Sequence, residues 1–149
     1  LKGYLIRQAR LHNDSAKEAN LTMAENENST STAYHLGRLF ACLEKAQKDA
    51  HENKLNTTIS DRFWGAASTT PALVFPRLVQ LSRYHVSKDE KNGRYNDMAI
   101  EEVMSKLPNR FPIRLSLEEQ GMFALGYFHK RQKLYESRKQ SNQTNGNEG

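Results

Sequence analysis

The chain has 149 residues, 37% of them apolar and 26% charged, and a formal net charge of +5. That length supports one hydrophobic core and leaves little for a second. It contains no apolar run of about 18 residues, the minimum for crossing a membrane. A lone cysteine, Cys42, rules out an internal disulfide and reads as a packed thiol in a reducing compartment, and no CxxC or Cys/His metal cluster is present. The positive charge is compatible with a polyanionic partner without requiring one.

In chain order, "LKGYLIRQARLH" at residues 1–12 places Leu1, Tyr4, Leu5 and Leu11 on one helical face and reads as the end of a longer helix. The first residue is Leu1 rather than Met, so the chain is expected to be a fragment or an internally started product. With no leader pattern ahead of it, the expected location is cytoplasmic. Residues 13–32 are polar, lack periodicity and read as a linker.

From Ala33 to about Asn53 the spacing of Leu36, Leu39, Phe40, Leu43 and Ala46 predicts a core helix, with Arg38, Lys45 and Lys48 as an outward basic stripe. Thr58 or Ser60 is placed to cap a short helix over Asp61–Ala67, with Asp61 suited to the positive end of the helix dipole. Thr70-Pro71 opens another turn. Pro76 lacks an N–H, so a short turn and then a separate helix from Pro76 to about Asp89 are expected. Trp64, Ala66, Ala67, Leu73, Val74 and Phe75 are the expected packing set of this stretch.

The charged "KDEKNGR" makes a turn, followed by an amphipathic helix over residues 95–107 on Met98/Ala99, Val103 and Leu107. Pro108 and Pro112 end it, and Ser116 with Glu119 matches a capping box. The helix beyond, to about Ser137, is apolar on most sides through Met122, Phe123, Ala124, Leu125, Tyr127 and Phe128, which predicts a central position. Gly121 and Gly126 would admit close neighbours. The resulting class is all-α, a compact bundle of about five or six helices. It divides into an N-terminal helix and linker (1–32), the bundle (33–137) and a disordered polar tail (138–149).

No enzyme signature is present. The Gly121-to-Gly126 spacing is followed by Tyr127 rather than Lys-Ser/Thr, and G-x-S-x-G and H-E-x-x-H are missing. The five histidines show no ligand spacing. Glu101-Glu102 and Glu118-Glu119 are expected at helix starts, where carboxylates are ordinary. The expectation is a non-enzyme with no metal and no cofactor.

The basic residues are more informative. No Asp or Glu occurs from Arg62 to Lys88, a stretch that also holds Arg77 and Arg83. Lys106, Arg110 and Arg114 form a second acid-free zone, and Lys130, Arg131 and Lys133 follow on the last helix. Candidate nucleic-acid contacts are Arg38, Lys45, Arg62, Arg77, Arg83, Lys88, Lys130 and Arg131. For the cations at the last helix, complementing a helix C-terminus is an equal alternative. Arg62 and Arg77 lie near expected helix starts, where positive charge is mildly unfavourable, so a phosphate or another subunit's carboxylate is the expected partner. Phe63, Trp64 and Phe75 have faces that stack on bases, but aromatics in mid-bundle belong more often to a core.

Three blocks, "AYHLGRLFACLEKAQ" (Ala33–Gln47), "DRFWGAASTTPALVFPRLVQLSRYHVSK" (Asp61–Lys88) and "FPIRLSLEEQGMFALGYFHKRQ" (Phe111–Gln132), occur in the same order as in a known family. Over residues 1 to about 135 the chain resembles the C-terminal region of the large subunit of the type I-C CRISPR Cascade complex. In that family the same coding region also yields a separate, internally translated small subunit, and Met23 is the candidate start. The resemblance implies a helical bundle lining the belly of a crRNA-guided surveillance complex. Its implied partners are Cascade backbone and large subunits, crRNA, target DNA (target strand or displaced strand) and a second copy of itself, with no membrane. It implies stabilisation of the R-loop without DNA cleavage, guide pairing supplying the specificity. The alternative is a structural module that bridges subunits without touching nucleic acid.

Overall fold

The computed structural model describes residues 29–145, with side chains as far as Glu136. The expected N-terminal helix, most of the linker and Met23 lie outside the described residues. Within them the fold is all-α, with no strand: α1 (residues 29–50), α2 (Ile59–Thr69), α3 (Pro71–Lys88), α4 (Gly93–Met104) and α5 (Leu117–Asn145). Residues 29–32, expected in the linker, already belong to α1.

The central helix is α1, not α5 as the composition of α5 predicts. Leu36, Leu39, Phe40, Ala41, Cys42, Leu43 and Ala46 are all buried, as are Glu44 and Asp49, so α1 is covered on every side. On α5 one stripe, Phe123, Tyr127 and Leu134, is buried, whereas Leu125 and Phe128 remain 45% and 56% exposed. Phe40 is the hub of the core, with the rings of Trp64, Phe75, Phe123 and Tyr127 at centroid distances of 5.8, 6.3, 5.8 and 5.8 Å. These tilted and edge-on contacts suit the ring quadrupoles, and removing one such buried ring costs about 3–5 kcal/mol.

Local chemistry closes the helices. The Asn53 N–H donates to the Lys48 carbonyl at 2.8 Å and the Glu52 N–H to that of Asp49 at 3.1 Å, a paired closure that puts Glu52 and Asn53 in the left-handed region (φ 54 and 59). Thr58 rather than Ser60 caps α2, its N–H donating to the Asp61 carboxylate at 2.8 Å. The Ser116 capping box of α5 forms as expected: the Glu119 N–H donates to Ser116 Oγ at 3.2 Å and the Ser116 N–H to Glu119 Oε1 at 3.0 Å.

Several boundaries differ from expectation. α3 is one helix straight through Pro76. Pro71, Phe75, Leu78, Ser82 and His85 are buried at alternating steps of four and three, one continuous face that a break at Pro76 would misalign. Keeping that face together outweighs the lost hydrogen bond, a defect of about 3 kcal/mol. α5 continues to Asn145, past Ser137 and into the stretch expected to be a disordered tail. Between Ser137 and Asn145 the sequence holds no glycine or proline to stop a helix. Glu101 and Glu102 fall in the last turn of α4 rather than at a helix start, so the dipole does not account for them. Two members of the expected packing set face outward instead: Ala66 is exposed and Leu73 is 77% exposed.

The irregular segment between α4 and α5 straps across the α2–α3 elbow. The Ala72 N–H donates to the Pro112 carbonyl at 2.9 Å and the Leu115 N–H to that of Thr69 at 2.8 Å. Phe111 stacks on Phe75 with centroids 5.4 Å apart. The strap thereby fixes the angle between the two helices that carry the acid-free surface.

Candidate nucleic-acid interface

Helices α2 and α3 are joined through Thr70 alone and present the stretch from Arg62 to Lys88 that lacks carboxylates. Arg62 lies in the first turn and a half of α2, as expected. Arg77 does not lie at a helix start: because α3 is unbroken it is a mid-helix residue, and the dipole offers no reason for or against it. Both side chains are exposed, and among the described residues neither has a carboxylate partner.

The two arginines line the same cleft, of about 240 Å³, whose other walls include Leu55, Phe63, Leu78 and Leu81. Gln47 also borders it, but its Oε1 is taken by the Ile59 N–H at 2.9 Å. From Arg77 onward, Leu81, Tyr84 and Lys88 follow at steps of four, three and four and share one exposed face over roughly 16 Å of helix. The Lys88 ammonium sits 4.3 Å from the Tyr84 ring centroid, within cation–π range. Arg83 is exposed on the neighbouring strip. Guanidinium groups with no carboxylate partner among the described residues suit bidentate phosphate contact, and Tyr84, two turns along α3 from Arg77, offers an exposed ring for stacking.

The other four sequence candidates have partners within the fold. Arg38 Nη2 and Lys130 Nζ each lie 3.7 Å from the Glu102 carboxylate, and Arg38 Nη1 donates to His35 Nδ1 at 3.0 Å. Lys45 pairs with Asp49 and donates to Asn96 Oδ1 at 3.0 Å, while Asn96 Nδ2 donates to Asp49 at 2.9 Å. Lys48 pairs with Glu44 at 3.3 Å. The outward stripe expected on α1 is therefore turned inward, because the central helix has no free face; its side chains are only 12%, 17% and 21% exposed. Arg131 lies over the Tyr135 ring at 5.5 Å.

Of the aromatics weighed for stacking, Phe75 is fully buried and Trp64 packs edge-on against Phe40, Phe123 and Tyr127. Both belong to the core. Tyr84 is the site residue that sequence reasoning missed, although its helical spacing from Arg77 and Lys88 would have flagged it. Burial pushes the Cys42 thiol up to about 11, which leaves it unreactive at neutral pH. Among the described residues no group of three His, Cys, Asp or Glu side chains is arranged to hold a metal, and no helix is long and apolar enough to cross a membrane.

The family model of the CRISPR-associated protein Cas_Csd1 matches residues 1–135. The chain belongs to the Cas_Csd1 family. No curated protein matches it significantly. In this Cas_Csd1 chain the matched span takes in α1 to α4, the strap and the buried part of α5, so the α2–α3 surface and the Glu102 cluster both lie inside it. The resemblance drawn from the three sequence blocks is thus borne out at the level of a CRISPR-associated family.

Proposed function

We propose that this Cas_Csd1 chain is a non-catalytic, small-subunit-like component of a crRNA-guided type I-C Cascade surveillance complex in antiviral defence. It lines the belly of the complex and stabilises the R-loop by contacting sugar-phosphate backbone through its α2–α3 surface. The observation that supports this reading best is the pair Arg62 and Arg77: two exposed arginines with no carboxylate partner among the described residues, in one cleft whose lining holds no Asp or Glu. Arg83 and Lys88 extend the same surface. In such machines guide pairing reads sequence while protein reads backbone and shape.

The test is Arg62→Glu combined with Arg77→Glu in the complex assembled with guide RNA, followed by DNA binding over a range of salt. Each lost phosphate contact should flatten the log–log salt dependence by about 0.7–0.9, with little dependence on target sequence. An unchanged slope removes both arginines from the interface.

A second reading, a module that bridges subunits without nucleic-acid contact, draws on a different observation. Leu73, Ile113 and Leu117, near the α2–α3 elbow, are 77%, 80% and 85% exposed, and apolar side chains have nothing to offer a phosphate. If the arginine reversals abolish assembly with guide RNA before DNA is added, this second reading holds instead.

A further inference from the structure

Three cations from separate parts of the fold share one carboxylate. Glu102 on α4 meets Lys106, in the turn after α4, at 3.1 Å; Arg38 of α1 at 3.7 Å; and Lys130 of α5 at 3.7 Å. The charges do not balance, and the distances show how poorly one group serves three. Only Lys106 is within hydrogen-bond range, and 3.7 Å is too long for the other two. Lys130 makes no ammonium hydrogen bond among the described residues, although its side chain is only 13% exposed and that of Arg38 only 12%. Charges this shielded are normally satisfied by close partners; Arg38 has one in His35 Nδ1, 3.0 Å from its Nη1, but Lys130 has none among the described residues.

Glu102 itself is 49% exposed, and an ion pair so open to water contributes little to stability. Its side chain is therefore free to swing out without disturbing the core. A planar carboxylate at the end of a short stem reaches one donor well and two badly. A tetrahedral phosphate directs oxygens toward several donors at once.

We infer that Arg38, Lys106 and Lys130 form a phosphodiester-binding site in which Glu102 stands in for the phosphate while nucleic acid is absent. The site is built from different helices than the Arg62–Arg77 cleft and gives the chain a second anchoring point, one that opens only when a backbone phosphate displaces an internal anion. The inference rests on the reading that this chain binds nucleic-acid backbone. The Glu102 carboxyl is held below its ordinary range, by the hydrogen bond from Lys106 first and with the nearby Lys130, Lys106 and Arg38 charges, so it competes as an anion at neutral pH.

The experiment uses the full chain and a fluorescent, mixed-sequence single-stranded oligonucleotide, with binding followed by anisotropy across a salt series. Glu102→Gln removes the competing charge and keeps the shape. It should bind more tightly than the wild type, with a log–log salt dependence steeper by about 0.7 for each cation that now reaches a phosphate. Adding Lys106→Gln to that variant should take part of the gain back. Unchanged or weaker binding by Glu102→Gln, with its melting curve intact, overturns the inference. A parallel arm needs no variant: inorganic phosphate added to the wild-type chain should shift the Arg38 side-chain NMR resonance, and the lack of any shift at tens of millimolar also overturns it. Preference of Glu102→Gln for a glutamate-rich peptide over the oligonucleotide would overturn it in favour of a protein partner. If Arg62→Glu with Arg77→Glu loses DNA while Glu102→Gln gains nothing, this inference alone fails. If Glu102→Gln gains oligonucleotide affinity while Arg62→Glu with Arg77→Glu loses none, the Arg62–Arg77 reading fails and the anion site stands.

Discussion

Gly37 of α1 and Gly126 of α5 lie where the backbones of the two helices touch. A Cβ at Gly37 would strike the Phe123 carbonyl, and one at Gly126 would strike the carbonyl of Tyr34. Backbone atoms inside helices have no rotamer to escape through, so the contact closes only without side chains. Gly37→Ala and Gly126→Ala are each expected to lower stability by at least about 1–3 kcal/mol in urea unfolding. Gly121, five residues from Gly126, is exposed, and a Cβ added there would meet nothing within 4 Å. Gly121→Ala should therefore raise stability by up to about 1 kcal/mol, as expected for an unpacked helical glycine. Equal effects at Gly121 and Gly126 would mean that the α1–α5 crossing is misplaced.

The buried Glu44 carboxylate accepts a hydrogen bond from the Tyr127 hydroxyl at 2.7 Å and pairs with Lys48 at 3.3 Å. Removing a donor to a buried charge costs about 1.5–3 kcal/mol, and that is the loss expected for Tyr127→Phe at neutral pH. Burial first, then the bond to Glu44, pushes the Tyr127 phenol up to about 12 from 10.0. Between those values the unfolded chain releases the proton while the folded one keeps it. The contribution is complete below pH 10.0 and is lost as pH rises through about 12. Denaturation profiles of the wild type should fall across this window, and those of Tyr127→Phe should fall less.

His85 is buried beside His51, with ring centroids 5.5 Å apart. Burial, and secondarily the His51 charge, depress the His85 value below 6.5. The folded state therefore holds this proton more weakly than the unfolded one. Its stabilisation is intact above pH 6.5 and disappears as pH falls through the lower folded value. His35, shielded by burial and close to Arg38, acts in the same direction. Melting temperatures should drop as the pH is lowered from about 7.5 to 5.5, the window set by histidine titration. His51→Gln should reduce that drop, and an unaltered pH profile would show that the two rings do not sense each other.

Much of the fold is legible without coordinates because it is local. The all-α class, the Ser116 capping box, the burial of Leu36, Leu39, Phe40 and Leu43, and the acid-free stretch from Arg62 to Lys88 all follow from residues within a few positions of each other. Helical spacing and capping need no distant partner to operate. The sequence also carried enough long-range order in three blocks to point to a CRISPR-associated family.

Composition cannot say which helix is surrounded. α5 is the more apolar in places, yet α1 is central, since burial depends on what the rest of the chain lays against each face. The fate of the cations is settled in the same way. Arg38 meets Glu102, Lys45 meets Asn96 and Lys130 meets Glu102, pairs brought together by folding over long stretches of sequence, while Arg62 and Arg77 share a cleft because an unbroken α3 turns back along α2. That no carboxylate follows Asp61 until Asp89 along the chain is plain from the order of residues. That no carboxylate of the described residues pairs with them through space is a property of the folded molecule, because ion pairing acts over a few ångströms regardless of separation in sequence.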